Sequence, residues 1–494
     1  MLDYIKSLER QGEEFSSAAN CLSSGICTVD PTLSALEELL LNEIKQISYY
    51  LVRAREFGFE NKKIAAAAVK ALTITLINTS FNEKEYLGVL ENLIKNKKEA
   101  KKSYLHMCKN NPMSCEVVNF PDDVDLSKKD SIAKLIKEGE KYLTLRAKGI
   151  STEKNGLLKL IILVTRTSAE NIQRIKALEP DFTDYDFEVL RLFSLKNFPS
   201  TRVDKLKRRI LEFAAISMKI RLKLGEVLAE RYGEKTGAKV LASAKAGKSI
   251  LVSGANLKEL ENVLVAAAKE NINVYTHDAL LVAHTYPKLR KHKNLIGHWC
   301  SDNMMHDFAN FKGVVYLTKN SNQKVDSLYR GLIYSSEDIN SRGVGKIVNG
   351  DYEPLIQAAS RHEGFEEDEQ ENFADFEYNK EKVEKILETE KEFTVFVGNS
   401  KNVDFSQLIG NKVVVNLQYP IEADLIYKII EKMQETKLDV TIFFTQCERT
   451  VINLLLSLVQ SGIKEIYLSK CPIASVSPYI LDTLSVNFGI KVVQ

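Results

Sequence analysis

Through the first half of the chain, apolar positions fall at three- and four-residue intervals. Leu33, Leu36, Leu40, Ile44, Ile47 and Leu51 form one stripe, which predicts an amphipathic helix. Asp30 followed by Pro31 marks its start, an N-cap carboxylate before a proline whose missing N–H costs nothing at the first helical position. Gly58 stops or bends the pattern. An alanine-rich stretch over 64–77 predicts a second, closely packing helix. Further helical patterns cover about 83–107, 129–147, 155–175, 185–195 and 203–232, and the long ones suit a bundle.

The texture changes near Gly237. Ser249-Ile-Leu-Val-Ser-Gly254 is a short β-rich run ending in a turn, followed by a helical pattern over 257–270 and a strand over 272–276. A further strand over 313–318 ends in Lys319-Asn320-Ser321. This alternation predicts a parallel, doubly wound sheet. The acidic segment from Glu366 reads as a boundary, after which the same grammar restarts with Phe393-Thr-Val-Phe-Val-Gly398, Lys412-Val-Val-Val-Asn416 and Asp439-Val-Thr-Ile-Phe-Phe444. The expected fold is α + α/β. A helical bundle over 1–235 precedes two Rossmann-like α/β domains, one over 236–370 and a shortened one over 371–494.

Length agrees with this division, since 494 residues at roughly 150 per domain make about three domains. A formal net charge of +2 gives no global pull toward nucleic acid, a membrane surface or acidic substrates. No apolar run reaches the roughly 18 residues needed to span a bilayer, and the N-terminus lacks the pattern of a secretory leader. Seven scattered cysteines are no disulfide framework, so a reducing, cytoplasmic setting is expected.

In open α/β sheets chemistry sits at the carboxyl ends of strands. There the sequence resembles the hybrid-cluster (prismane) proteins, relatives of nickel carbon monoxide dehydrogenase. The resemblance is carried in order by Ile250-Leu-Val-Ser-Gly254, Asn273-Val-Tyr-Thr-His277, Ala283-His-Thr-Tyr-Pro-Lys-Leu289, Asn294-Leu-Ile-Gly297 and Leu317-Thr-Lys-Asn-Ser-Asn-Gln-Lys324. Cys21 and Cys27 before Asp30-Pro31, Ser461-Gly-Ile-Lys464 and Asn487-Phe-Gly-Ile490 extend it to both ends. The resemblance implies a hybrid-cluster-like architecture and, in an intact member, an iron–sulfur–oxygen cluster that reduces hydroxylamine or nitric oxide.

The same resemblance implies where the cluster ligands would stand. The histidine after the Ser-Gly turn is matched by Ala255, and the glutamate after Thr-His-Gly by Ala279, with Asp278 in place of the glycine. The cysteine of the next loop becomes Ser321, and that of the last domain's first turn falls on Ser400 or Asn399. Only Glu448 keeps a ligand-type side chain. Alanine offers no donor, and a neutral serine hydroxyl is a poor substitute for thiolate on iron. At the N-terminus Cys21 and Cys27 remain, while the upstream positions, Glu9 and Gly12, are not cysteine. Two thiolates complete a four-cysteine site only if a symmetric dimer shares it.

The resulting expectation is a pseudoenzyme with no cofactor, acting as a structural or interaction subunit with a protein partner or in a homo- or hetero-oligomer, away from membranes and nucleic acid. One alternative is an iron–sulfur reductase of hydroxylamine or nitric-oxide type with altered ligation. The other is a small-ligand or metal-binding protein using the vacated interdomain cavity. Five of the seven histidines lie between His277 and His306, with Cys300, Asp302 and Asp307 nearby, so a metal set of His298, Cys300, Asp302 and His306 competes with plain packing or solvent roles. His277 and His284 belong to the resemblance's scaffold motif, where hydrogen bonding suffices. Cys447 beside Glu448 reads as an incidental thiol. Lys205, Lys207, Arg208, Arg209, Lys219, Arg221 and Lys223 make one helix basic, which is more often a solvated face than a phosphate-binding one. The segment from Asn372 to Tyr378 is open to two readings, a partner-docking motif or a cap on the domain interface.

Overall fold

The computed structural model describes residues 31–74, 83–110, 115, 120, 131–146, 151–197, 200–300, 304–319, 325, 327–336, 342–367, 370–398, 412–418, 421–444, 451–463, 465–469 and 478–493. The helical half comprises α1 (Pro31–Glu56), α2 (Lys62–Ile74), α3 (Glu83–Asn110), α4 (Ile132–Arg146), α5 (Thr152–Lys176), α6 (Asp186–Ser194) and α7 (Val203–Tyr232). The stripe Leu36, Leu40, Ile44, Ile47 and Leu51 is buried, as its spacing requires. In α2 the small side chains Ala65, Ala68 and Ala71 are buried and let neighbouring helices come close. Gly139 permits the tightest crossing: a Cβ there would lie 1.9 Å from the Ala35 carbonyl oxygen of α1. Cys108 and Cys115 form a disulfide, a pairing that the scattered cysteine count gave no reason to expect. None of the described helices is long and apolar enough to cross a membrane.

The first α/β unit runs through β1 (Ala238–Leu241), β2 (Ser249–Ser253), α8 (Leu257–Ala268), β3 (Asn273–His277), α9 (Pro287–Arg290), β4 (Leu295–His298), α10 (Met304–Asn310), β5 (Val314–Leu317), β6 (Ile333–Ser335), β7 (Gly345–Lys346) and α11 (Glu353–Arg361). Its sheet has the order β7-β6-β5-β2-β3-β4-β1-β8, parallel except for β8 (Phe373–Phe376), which pairs antiparallel with β1. The segment over 372–378, read from sequence as a docking motif or a cap, is thus a sheet edge. Tyr378 beyond it hydrogen-bonds to Asp424 of the last unit.

That unit contains α12 (Lys380–Thr389), β9 (Glu392–Val397), β10 (Val413–Leu417), α13 (Ala423–Glu435), β11 (Asp439–Phe444), α14 (Val451–Gln460), β12 (Glu465–Ser469), α15 (Pro478–Phe488) and β13 (Lys491–Val493). Its sheet, β10-β9-β11-β12-β13, is wholly parallel. The architecture is the expected α + α/β fold. The largest apolar core is continuous from the bundle into this second sheet, because α14, buried on nearly every residue, lies between them. Asn453 of α14 seals the seam: its amide donates to the Val164 carbonyl at 3.2 Å, to Ser168 Oγ at 3.0 Å and to Ser217 Oγ at 2.7 Å.

Candidate functional site

Side chains alternate across a strand, so in β2 and β3 Ser253 follows Leu251 and His277 follows Tyr275 onto one face of the sheet. The parallel register sets Ser253 beside His277. That face is apolar, with Leu251, Tyr275, Phe308 and Phe311 in one buried cluster and Trp299 packed against it. His277 and Asp307 are buried there, while Cys300, just past β4, is exposed. Ser253 Oγ lies 2.8 Å from His277 Nδ1, and Asp307 Oδ2 lies 3.4 Å from Nε2. One ligand atom from each of His277, Cys300 and Asp307 falls within 4.8 Å of the others. Trp299 Nε1 donates to the Asp307 carbonyl at 3.2 Å, which pins α10 against the sheet. Burial alone would depress the His277 pKa. Asp307 and Cys300, both pressed on the ring, outweigh it and raise the pKa to about 9.

The opposite face has different chemistry. Thr276 Oγ1 lies 2.9 Å from His284 Nε2 and 2.9 Å from His298 Nδ1. Burial holds both imidazoles neutral, with pKa values pushed down to about 4 and about 3. His284 therefore has the hydrogen-bonding role that its scaffold motif suggested. His298 is tied up with it, and His306 is exposed on α10. The metal set sought from neighbouring sequence, His298, Cys300, Asp302 and His306, is thus replaced by one in which Cys300 meets His277 and Asp307. Asp302 lies outside the described residues. Sequence reasoning noted Asp307 as near Cys300 but confined His277 to the scaffold. The missing signal was the sheet register that returns β3 to the end of β4.

Beyond the strand ends, Asp278 has φ +60°, the left-handed region that favours glycine. It stands where the resemblance places a glycine, which supports the alignment of Ala279. Gly254, φ +127°, makes the corresponding turn after β2 and leads to Asn256, whose side chain caps α8 by accepting from the Lys258 and Glu259 amides. Ala255 and Ala279 are both on the wall of one cavity of about 130 Å³, lined also by Arg174, Arg221, Lys235 and Asn453, where the bundle meets both α/β units. Burial lowers the Lys235 pKa, countered by Asp424, whose Oδ1 accepts from Nζ at 2.6 Å. Asn453 Oδ1 is buried with no hydrogen-bond partner among the described residues. Cys21, Cys27, Ser321, Ser400, Cys447 and Glu448 lie outside the described residues. The basic helix α7 is partly compensated, Arg209 by Glu212 of the same helix and Lys223 by Glu179, which follows α5.

A family model described as "Prismane/CO dehydrogenase family" matches residues 17–447. A hydroxylamine reductase of Zymomonas mobilis subsp. mobilis is 26% identical over 73% of this chain and 65% of its own length. One from Methanocella arvoryzae is 26% identical over 72% of this chain and 65% of its own. The chain thus spans less than two thirds of these relatives. A solved structure of alpha subunits of acetyl-CoA synthase/carbon monoxide dehydrogenase, with NiZn[Fe4S4] and NiNi[Fe4S4] clusters, is 10% identical with a TM-score of 0.43, covering 94% of this chain and 81% of that one.

The family match corrects the expectation that the chain takes no cofactor, because the family is one of iron–sulfur cluster proteins. The described residues at the assigned ligand positions do not fit such a cluster, since the methyl groups of Ala255 and Ala279 give iron no donor. Matched over most of its length, with its motifs at the ends of β2, β3 and β5, this chain belongs to the Prismane/CO dehydrogenase family.

Proposed function

We propose that the chain is an oxidoreductase of the hydroxylamine-reductase type, with ligation altered from that of its family. Its substrate is a small nitrogen–oxygen compound. Family membership and two curated relatives named hydroxylamine reductase support the reaction class. The structural observation that supports this reading is the cavity lined by Ala255 and Ala279. At about 130 Å³ it has room for a molecule of hydroxylamine size, water's share of the liquid being about 30 Å³.

The reaction NH2OH + 2 e− + 2 H+ → NH3 + H2O takes its two electrons from an external one-electron donor, which reduced methyl viologen replaces in the assay below, and asks the protein to bind a small polar molecule and to deliver protons. The buried Asn453 Oδ1 accepts a hydrogen bond from the substrate's N–H or O–H group, gaining the partner it otherwise lacks. Arg221 on the same wall stabilises the negative charge that develops before protonation, while Arg174 is engaged by Glu170 and Lys235 by Asp424.

The test is ammonia release from hydroxylamine by anaerobically purified full-length chain, with reduced methyl viologen as electron donor. One ammonia per hydroxylamine consumed is expected. Ala279→Leu, which fills the cavity, should lower turnover at least tenfold. Ammonia at the level of the dye-only control, or full turnover in Ala279→Leu, defeats the reading.

A further inference from the structure

We propose that His277, Cys300 and Asp307 bind a single divalent transition-metal ion of the zinc or ferrous class. None of the three stands at a position where the resemblance assigns a cluster ligand, and the site faces α10, across the sheet from Thr276, His284 and His298.

Three features of the geometry carry this. Tetrahedral bonds of about 2.0–2.1 Å place two donors about 3.4 Å apart. That is the separation found between His277 Nε2 and Asp307 Oδ2. An ion can enter between them with little movement of two buried side chains. Second, Ser253 holds Nδ1 at 2.8 Å, which fixes the ring with Nε2 toward Asp307, the supporting contact that metal-bound imidazoles usually have. Third, the Cys300 sulfur already lies within 4.8 Å of the other two donor atoms, and the exposure of that residue opens the site to ions from solvent. With three protein ligands, the fourth position remains for water or substrate, as in catalytic metal sites.

A Cys–His–Asp nucleophilic triad is the competing reading of the same residues. A triad reserves one ring nitrogen for the thiol and the other for the carboxylate. Here Ser253 occupies Nδ1 and Asp307 lies at Nε2, so neither nitrogen is kept for Cys300 alone. The donor set, one borderline nitrogen, one soft sulfur and one hard oxygen, suits zinc or ferrous iron better than calcium or magnesium.

This inference concerns binding and holds whether or not hydroxylamine is the substrate. The full-length, untagged chain is stripped with a chelator and titrated anaerobically with Co2+. Saturation at one ion per chain is expected, with a near-ultraviolet thiolate-to-cobalt charge-transfer band. Cys300→Ser should abolish the band without loss of fold, its side chain being exposed. Asp307→Asn should weaken binding at least tenfold. If Asp307→Asn misfolds by circular dichroism, His277→Gln takes its place. A band that survives Cys300→Ser and disappears in the double variant Cys21→Ser, Cys27→Ser would overturn the assignment, as would the absence of any band.

Discussion

Ser253 Oγ lies 2.8 Å from His277 Nδ1, across the parallel pair β2–β3. The contact ties the ring on its sheet side and leaves Nε2 facing Asp307. Removing the hydroxyl frees the imidazole to rotate without taking away any of the three donors. In Ser253→Ala, Co2+ affinity should fall about 10- to 100-fold, as measured by competition with a chromophoric chelator. Stability should fall by only about 1 kcal/mol, the usual net worth of one hydrogen bond. Unchanged affinity would mean that packing against Phe308 alone orients the ring.

Gly254 sits at φ +127°, and a Cβ there would lie 2.0 Å from Thr318 Oγ1. Gly254→Ala therefore suffers twice, from the backbone conformation and from overlap with a buried side chain. We expect a loss of about 2–4 kcal/mol in urea denaturation. Thr318→Ala in the same chain should restore part of that loss and leave the backbone part. Full rescue would show that the turn tolerates a side chain.

The fold was legible because its units have distinct periods. The three- and four-residue spacing of Leu36, Leu40, Ile44 and Ile47 gave the first helix, and short apolar runs closed by Gly254 and Gly398 gave strands and turns. Phe373 to Phe376 was harder, because an edge strand exposed on one side shows only four residues of alternating burial. The metal trio was hidden for a different reason. His277 and Asp307 are 30 residues apart and meet only through the register of the sheet, while His298, close to Cys300 in sequence, faces the opposite side with Thr276. Ala255 and Ala279 were legible as paired positions only through the resemblance, since nothing in an alanine's own chemistry marks a cavity wall.

Asn453 joins the bundle to the second sheet through Val164, Ser168 and Ser217. Asn453→Ala leaves a buried carbonyl and two hydroxyls short of a donor, and an unmade buried hydrogen bond costs about 1–3 kcal/mol. Allowing for the residual Ser168–Ser217 contact at 3.3 Å, a loss of about 2–3 kcal/mol is expected by urea denaturation. A loss below about 0.5 kcal/mol, the size of an ordinary surface substitution, would show that apolar packing of α14 holds the seam alone.

His284 makes acid stability a test of the face opposite the metal trio. Burial beside Thr276 lowers its pKa from 6.5 to about 4. Between those values the unfolded chain takes up a proton at this residue and the folded chain does not. The stabilising effect of keeping the ring neutral is therefore fully present above about pH 6.5 and is lost as pH falls toward about 4. One pKa unit corresponds to about 1.4 kcal/mol, so this single group should remove about 2 kcal/mol between about pH 7 and about pH 5. His284→Gln cannot take up that proton. Its urea midpoint should consequently change less across the same interval than that of the natural chain, even if it starts lower. Parallel curves for the two proteins would show that His284 is already protonated when folded, or that the ring is open to water, and either outcome would remove it from the buried Thr276 pair.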